Sequence, residues 1–120
     1  MHKLLAVVGV IAAAGFATTG AFAGTASPTS LTGTVGPGFT ITLKDAHGRV
    51  VKRLKPGVYT LKVRDVSPIH DFHHRGPGVN KTTTVAATGT TIWTMHLKAG
   101  HYTYVCDPHH TIMHGSFVVG

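Results

Sequence analysis

The stretch of residues 100–115, which reads G-H-Y-T-Y-V-C-D-P-H-H-T-I-M-H-G, decides how this chain is interpreted. It holds the single cysteine of the chain, Cys106, with His109 three residues later and Met113 four residues after that. A thiol, an imidazole and a thioether therefore lie within eight residues. Because sulfur and imidazole donors suit soft and intermediate metal ions, this spacing predicts a metal-binding loop.

The residues before the cysteine alternate as in a half-buried strand. Tyr102, Tyr104 and Cys106 fall on one face, and the residues between them fall on the other. Pro108 cannot donate to a strand ladder and fixes its own φ, so the chain is expected to turn there. Such a turn can bring His109 back beside the sulfur before a final strand. A loop held between two neighbouring strands is a rigid support for metal ligands.

Two histidines and a cysteine with a weak axial methionine form the ligand set of a blue-copper site. The loop supplies three of these four donors, so a second histidine must come from elsewhere in the chain. The segment 65–81 is the natural source, because it contains His70, His73 and His74 in a long connection that we interpret as irregular. Long connections inside compact domains are commonly functional.

The pattern G-x-Y-x-Y-x-C-x-P-H-x-x-x-M-x-G resembles the C-terminal signature of the cupredoxins, the plastocyanin/azurin family of small blue-copper proteins. The resemblance extends upstream to the segment I-H-D-F at 69–72 and to G-P-G-V at 76–79. It covers most of the chain after the leader. It implies one type 1 copper ion held by His70, Cys106, His109 and Met113.

Neighbouring side chains are alternatives to three of these ligands. His73 competes with His70, His110 with His109, and His114 with Met113, although the family spacing favours the first of each pair. The chain also departs from the family pattern at Asp71 and Val105, which are not among the proposed ligands.

Asp71 stands where plastocyanins and azurins commonly have asparagine. An ionised carboxylate accepts hydrogen bonds but cannot donate one. Val105 precedes the cysteine where plant plastocyanins have an aromatic residue. That substitution puts the corresponding electron route in doubt and leaves the edge of His109 as the candidate route.

The N-terminal residues have the pattern of a secretory signal peptide. A short basic start is followed by an apolar run over 4–17 and an A-F-A site at 21–23. We therefore predict a signal peptide over 1–23, a flexible mature N-terminus over 24–30 and a cupredoxin-like copper-binding domain over 31–120. This implies a secreted, periplasmic or otherwise extracytoplasmic protein, with an uncleaved anchor helix as the alternative.

From Leu31 onward the chain is interpreted as all-β. Apolar and polar residues alternate over 39–43, 58–63, 82–86, 90–97 and 100–106, with a short strand at 50–54 and Gly or Pro turns between. These segments give about seven or eight short strands without a helical period. They predict a Greek-key β-sandwich or barrel, independently of the family resemblance.

The charge of the chain is strongly basic. Lysine and arginine total 11 against four acids, and seven of the basic residues lie between positions 44 and 64. Solvated strand faces are one explanation, and docking to an acidic redox partner or an anionic envelope surface is the other. We expect a monomer, and an exported chain without a nucleic-acid-binding motif is not expected to bind nucleic acid.

Together these features predict an exported type 1 copper protein that carries one electron between redox partners. We expect no enzymatic activity, because the sequence offers no recognisable nucleophile or general base. The first alternative is a copper-handling module that stores or delivers the ion without redox cycling, using nine histidines after the leader. The second is a non-metal β-sandwich that serves as an interaction module.

Overall fold

The computed structural model of the chain describes residues 13–15 and 27–120. The predicted signal peptide and its cleavage site lie outside the described residues, except for positions 13–15, so they remain predictions. Within the described ranges, no helix is long and apolar enough to cross a membrane.

Residues 27–120 form nine strands and one short 3₁₀ turn at Asp107–His109. In chain order the strands are β1 (Thr29–Val35), β2 (Ile41–Asp45), β3 (Arg53–Leu54), β4 (Gly57–Asp65), β5 (His73–Gly76), β6 (Val79–Thr82), β7 (Gly89–Leu97), β8 (Gly100–Val105) and β9 (His114–Val119).

The strands build two sheets that pack as a sandwich. One sheet has four strands in the order β2-β1-β4-β7, and the other has five in the order β3-β9-β8-β5-β6. β1 is parallel to β4 and β3 is parallel to β9, while the other pairs are antiparallel. The prediction of an all-β sandwich is confirmed, and the sheets do not close into a barrel.

Alternation along the strands fills the space between the sheets. β4 buries every second residue, including Tyr59, Leu61 and Val63, and exposes Lys62 and Arg64 on its other face. β8 does the same with Tyr102 and Tyr104, as the sequence predicted. Removal of these apolar faces from water is the main favourable contribution to folding.

Two segments differ from the sequence-based expectation. Residues 65–81 are not wholly irregular, because they contain the hairpin of β5 and β6.

The segment T-T-T-V-A at 82–86 was predicted to be a strand, but only Thr82 belongs to one. Thr83 there bonds to Phe72 instead of continuing the ladder, with its hydroxyl accepting from the Phe72 N–H and its own N–H donating to the Phe72 carbonyl. β-branched residues fit a strand, but this hydrogen bonding takes them into a loop.

Smaller differences concern strand ends. The strand predicted over 50–54 is reduced to β3, with Val50 making only an isolated bridge to Lys44. β1 begins at Thr29, within the segment that the sequence assigned to the mature N-terminus.

The pairing of strands gathers three loops at one end of the sandwich. Val35 is opposite Asp65 in the parallel pair of β1 and β4, so the chain leaves both strands at the same edge. Val105 is opposite His73, so the residues after β8 pass beside the residues before β5. The loops 36–40, 66–72 and 106–113 therefore meet.

Candidate metal centre

Three donor atoms converge where these loops meet. His70 Nδ1 lies 3.1 Å from His109 Nδ1, and Cys106 Sγ lies 3.6 Å from the first nitrogen and 3.5 Å from the second. The three residues come from two segments of the chain, His70 from the connection between β4 and β5 and the other two from the loop after β8. They are the one group of three or more histidine, cysteine or acidic donors with metal-site spacing in the described part of the chain.

The size of this triangle fits a metal ion. A point equidistant from the three atoms lies about 2.0 Å from each of them, which is close to the usual metal–nitrogen distance and slightly short of a metal–sulfur bond. Two nitrogens and a sulfur at such spacing suit copper or zinc. Burial raises the pKa of the Cys106 thiol, whereas a bound metal ion would favour its thiolate form.

A backbone carbonyl orients the first histidine. The other ring nitrogen of His70, Nε2, lies 2.8 Å from the carbonyl oxygen of Gly38. Since a carbonyl only accepts, Nε2 carries the proton and Nδ1 keeps its lone pair for a metal ion. Such a hydrogen bond fixes the tautomer and ring orientation of a ligating histidine.

Backbone hydrogen bonds shape the loop that holds the cysteine. The His109 N–H donates to the Cys106 carbonyl at 3.0 Å, and the Met113 N–H donates to the His109 carbonyl at 2.8 Å. The Cys106 N–H in turn donates to the Met113 carbonyl at 2.9 Å. These bonds hold the three residues close together, and the side chain of Met113 is fully buried.

Asp71 ties the two ligand-bearing loops to each other. Its Oδ1 accepts from the Asp107 N–H at 2.6 Å, and its Oδ2 accepts from the Thr82 hydroxyl at 3.3 Å. Burial raises the pKa of this carboxyl group. Asp71, which stands where the family commonly has asparagine, thus joins the two loops as a hydrogen-bond acceptor.

The alternative histidines lie elsewhere. His73 pairs with Asp107 through Nδ1 at 2.9 Å and with Asn80 through Nε2 at 2.6 Å. His74 points into the core and is fully buried. His110 and His114 are exposed and line a cavity of about 570 Å³ on the outer face of the five-stranded sheet.

The sequence interpretation missed the loop between β1 and β2 as part of this centre. It treated Phe39 as a strand residue, whereas the structure places its ring against those of His70 and His109. The only local signal was the G-P-G segment at 36–38, which indicates a turn but not where the turn lies.

Comparison with known proteins agrees with this geometry. A family model described as "Copper binding proteins, plastocyanin/azurin family" matches residues 34–120. The chain therefore belongs to the plastocyanin/azurin family of copper-binding proteins, as its sequence resemblance predicted, and the metal that suits its centre is a type 1 copper ion.

Solved structures of rusticyanin share the fold. A methionine-to-glutamine mutant of rusticyanin is 23% identical with a TM-score of 0.58, and the alignment covers 80% of each chain. Reduced rusticyanin is 22% identical with a TM-score of 0.57, covering 80% of this chain and 81% of the other. Rusticyanin from Thiobacillus ferrooxidans is 24% identical with a TM-score of 0.56, covering 80% and 79%. A search of curated proteins found no match.

Proposed function

We propose that this protein is an exported type 1 copper protein that carries one electron at a time between redox partners. In this proposal His70, Cys106 and His109 bind the ion in a trigonal arrangement, and Met113 is the weak axial ligand. The observation that carries the proposal is the close triangle formed by two Nδ1 atoms and one Sγ atom.

The donor set suits one-electron exchange. Copper supplies a Cu(I)/Cu(II) couple, for which Cu(I) prefers soft sulfur and Cu(II) prefers nitrogen. The side chains offer both donor types. The bond that His70 donates to the Gly38 carbonyl and the bonds within the 106–113 loop hold them in place. A site that moves little between oxidation states lowers the reorganisation that accompanies electron transfer.

The exposure of the ligands supports a route for the electron. His70, Cys106 and Met113 are buried, whereas His109 is half-buried. The His109 ring is therefore the ligand closest to a docked partner. We propose that electrons arrive and leave at this edge.

The partner that we propose carries negative charge. Lys44 and Lys62 flank Thr32 in one cross-strand row on the outer face of the four-stranded sheet, and Arg64 lies one row further along β4. These cations give the face a positive field that can steer an acidic redox protein, or an anionic envelope surface, towards it. We further propose that the protein acts as a monomer, is not an enzyme, and works outside the cytoplasm after removal of residues 1–23.

The test is an absorption and EPR spectrum of residues 24–120 after addition of Cu(II). We expect an intense charge-transfer band in the visible region and narrow copper hyperfine splitting, both abolished by Cys106→Ser. His73→Gln is the matched control, because His73 lies outside the triangle, and it should retain both signals. A pale, tetragonal Cu(II) spectrum that survives Cys106→Ser would favour the copper-handling alternative.

A further inference from the structure

Phe39 makes aromatic contacts with both proposed histidine ligands. Its ring centroid lies 5.4 Å from that of His70 and 5.0 Å from that of His109, at interplanar angles of 65° and 78°. The two histidine rings are themselves 4.8 Å apart at 81°. Each of the three rings therefore meets the other two in an edge-to-face arrangement, which is a favourable geometry for aromatic pairs.

The loop that carries Phe39 is closed by its own hydrogen bonds. The Gly36 N–H donates to the Thr40 carbonyl at 2.8 Å, and the Thr40 hydroxyl donates to the Pro37 carbonyl at 3.0 Å. Gly38 has a φ of 68°, a left-handed conformation that favours glycine, and its carbonyl accepts from His70. The residue before Phe39 is thus bonded directly to one of the rings that Phe39 contacts.

The position of the ring is not explained by core packing. Phe39 is 55% exposed, so one side of the ring faces solvent while the other faces the two imidazoles. A single exposed apolar side chain is ordinary on a protein surface. Here, however, the ring contacts both His70 and His109, and His109 is the half-buried member of the proposed ligand set.

We propose that Phe39 is a positioning residue of the copper site, which holds the two imidazoles at their mutual angle and limits the access of water to them. This inference rests on the proposed function. Water stabilises the oxidised site more than the reduced one, because the oxidised site carries one more positive charge. By limiting access of water, Phe39 favours the reduced state and raises the reduction potential.

The experiment compares the copper-loaded protein with Phe39→Ala, Phe39→Leu and Phe39→Tyr. We expect Phe39→Ala to change the ratio of reduced to oxidised protein at a fixed potential by about tenfold, which is a decrease of about 59 mV in the midpoint. Phe39→Leu should give a smaller decrease, and Phe39→Tyr should restore the original value. Ile92→Ala is the matched control, because Ile92 is 62% exposed on the outer face of the four-stranded sheet, away from the histidine rings, and should leave the potential unchanged.

A second readout does not depend on copper. In the metal-free protein, Phe39→Ala should shift the NMR resonances of the His70 and His109 rings, because the ring current of Phe39 is lost. It should also broaden these resonances, because the two histidine rings would exchange between orientations. Equal potentials in the original protein and Phe39→Ala, or sharp His70 and His109 ring resonances in metal-free Phe39→Ala, would overturn the inference. Failure of the proposed function is distinguishable, since the unsubstituted protein would then show no charge-transfer band at all.

Discussion

At the scale of single residues, His74 is the side chain whose environment differs most from its sequence-based interpretation. The sequence analysis placed it in the connection 65–81, which was interpreted as irregular. In the structure its ring is fully buried, packs against the rings of both Tyr102 and Phe117, and places Nδ1 3.2 Å from the sulfur of Met95. Its Nε2 has no hydrogen-bond partner among the described residues.

This burial predicts a stability that depends on pH. Burial lowers the pKa of His74 to about 4 from an unfolded value of 6.5, so protonation favours the unfolded chain. The stabilising contribution of the neutral ring should be complete above pH 6.5, decrease as the pH falls towards 4, and change little below that. A shift of this size corresponds to about 3 kcal/mol of unfolding free energy.

Urea unfolding of the metal-free protein between pH 4 and 7 measures this contribution. His74→Phe, which cannot be protonated, should lose most of the decrease in stability over that range. His96→Gln serves as control, because His96 is exposed on β7 and should leave the slope unchanged. An unaltered pH slope in His74→Phe would show that His74 is not the group responsible.

At the scale of secondary-structure elements, the pair of β8 and β9 depends on a glycine opposite an aromatic residue. Gly115 is paired with Tyr104, and a Cβ at Gly115 would lie 2.2 Å from the Tyr104 ring. The Tyr104 ring stacks in turn on Phe72 at 5.7 Å, two residues from His70. The glycine therefore leaves the space that lets this ring pack beside the metal centre.

Gly115→Ala should destabilise the fold by about 1–3 kcal/mol, the usual cost of overpacking a core. The measurement is the midpoint of urea unfolding of the metal-free protein. Ser116→Ala is the matched control, because Ser116 is the next residue of β9 and is exposed, so its midpoint should stay within experimental error. If Gly115→Ala unfolds at the same urea concentration as the original protein, the Tyr104 ring has room that the structure does not indicate.

At the scale of the whole molecule, the basic residues are distributed unevenly between surfaces. Lys44, Lys62 and Arg64 share the outer face of the four-stranded sheet, whereas Arg53 lies on β3 of the other sheet and donates to the Gly120 carbonyl. A surface whose charges share one sign raises the association rate of oppositely charged partners. This effect weakens as salt is added.

We expect oxidation of the Cu(I) protein by the anion hexacyanoferrate(III) to slow as ionic strength rises. The variant Lys62→Gln should react more slowly at low salt and show a flatter salt dependence in stopped-flow measurements. Arg53→Gln, which also loses a positive charge but on the other sheet, should have a smaller effect. Equal rates for Lys62→Gln and Arg53→Gln, which lose one positive charge each, would mean that net charge, and not this face, governs association.

The chemistry of the centre and the class of fold could both be predicted from the sequence. Cys106, His109 and Met113 lie in one short loop, so their donor types and spacing are readable without long-range information. Strand alternation is equally local, and it predicted correctly that Tyr102 and Tyr104 of β8 share the buried face. Both signals depend only on residues close together in the chain.

Which distant groups meet at that loop depends on the tertiary structure and could not be predicted from the sequence. The nearness of His70 Nδ1 to the sulfur depends on the pairing of β5 with β8. The carbonyl of Gly38 on its other nitrogen and the ring of Phe39 beside it depend on the parallel pairing of β1 with β4. The burial of His74 depends likewise on the pairing of β5 with β8. Such pairings join residues far apart in sequence, and the periodicity of one segment does not specify which other segment lies beside it.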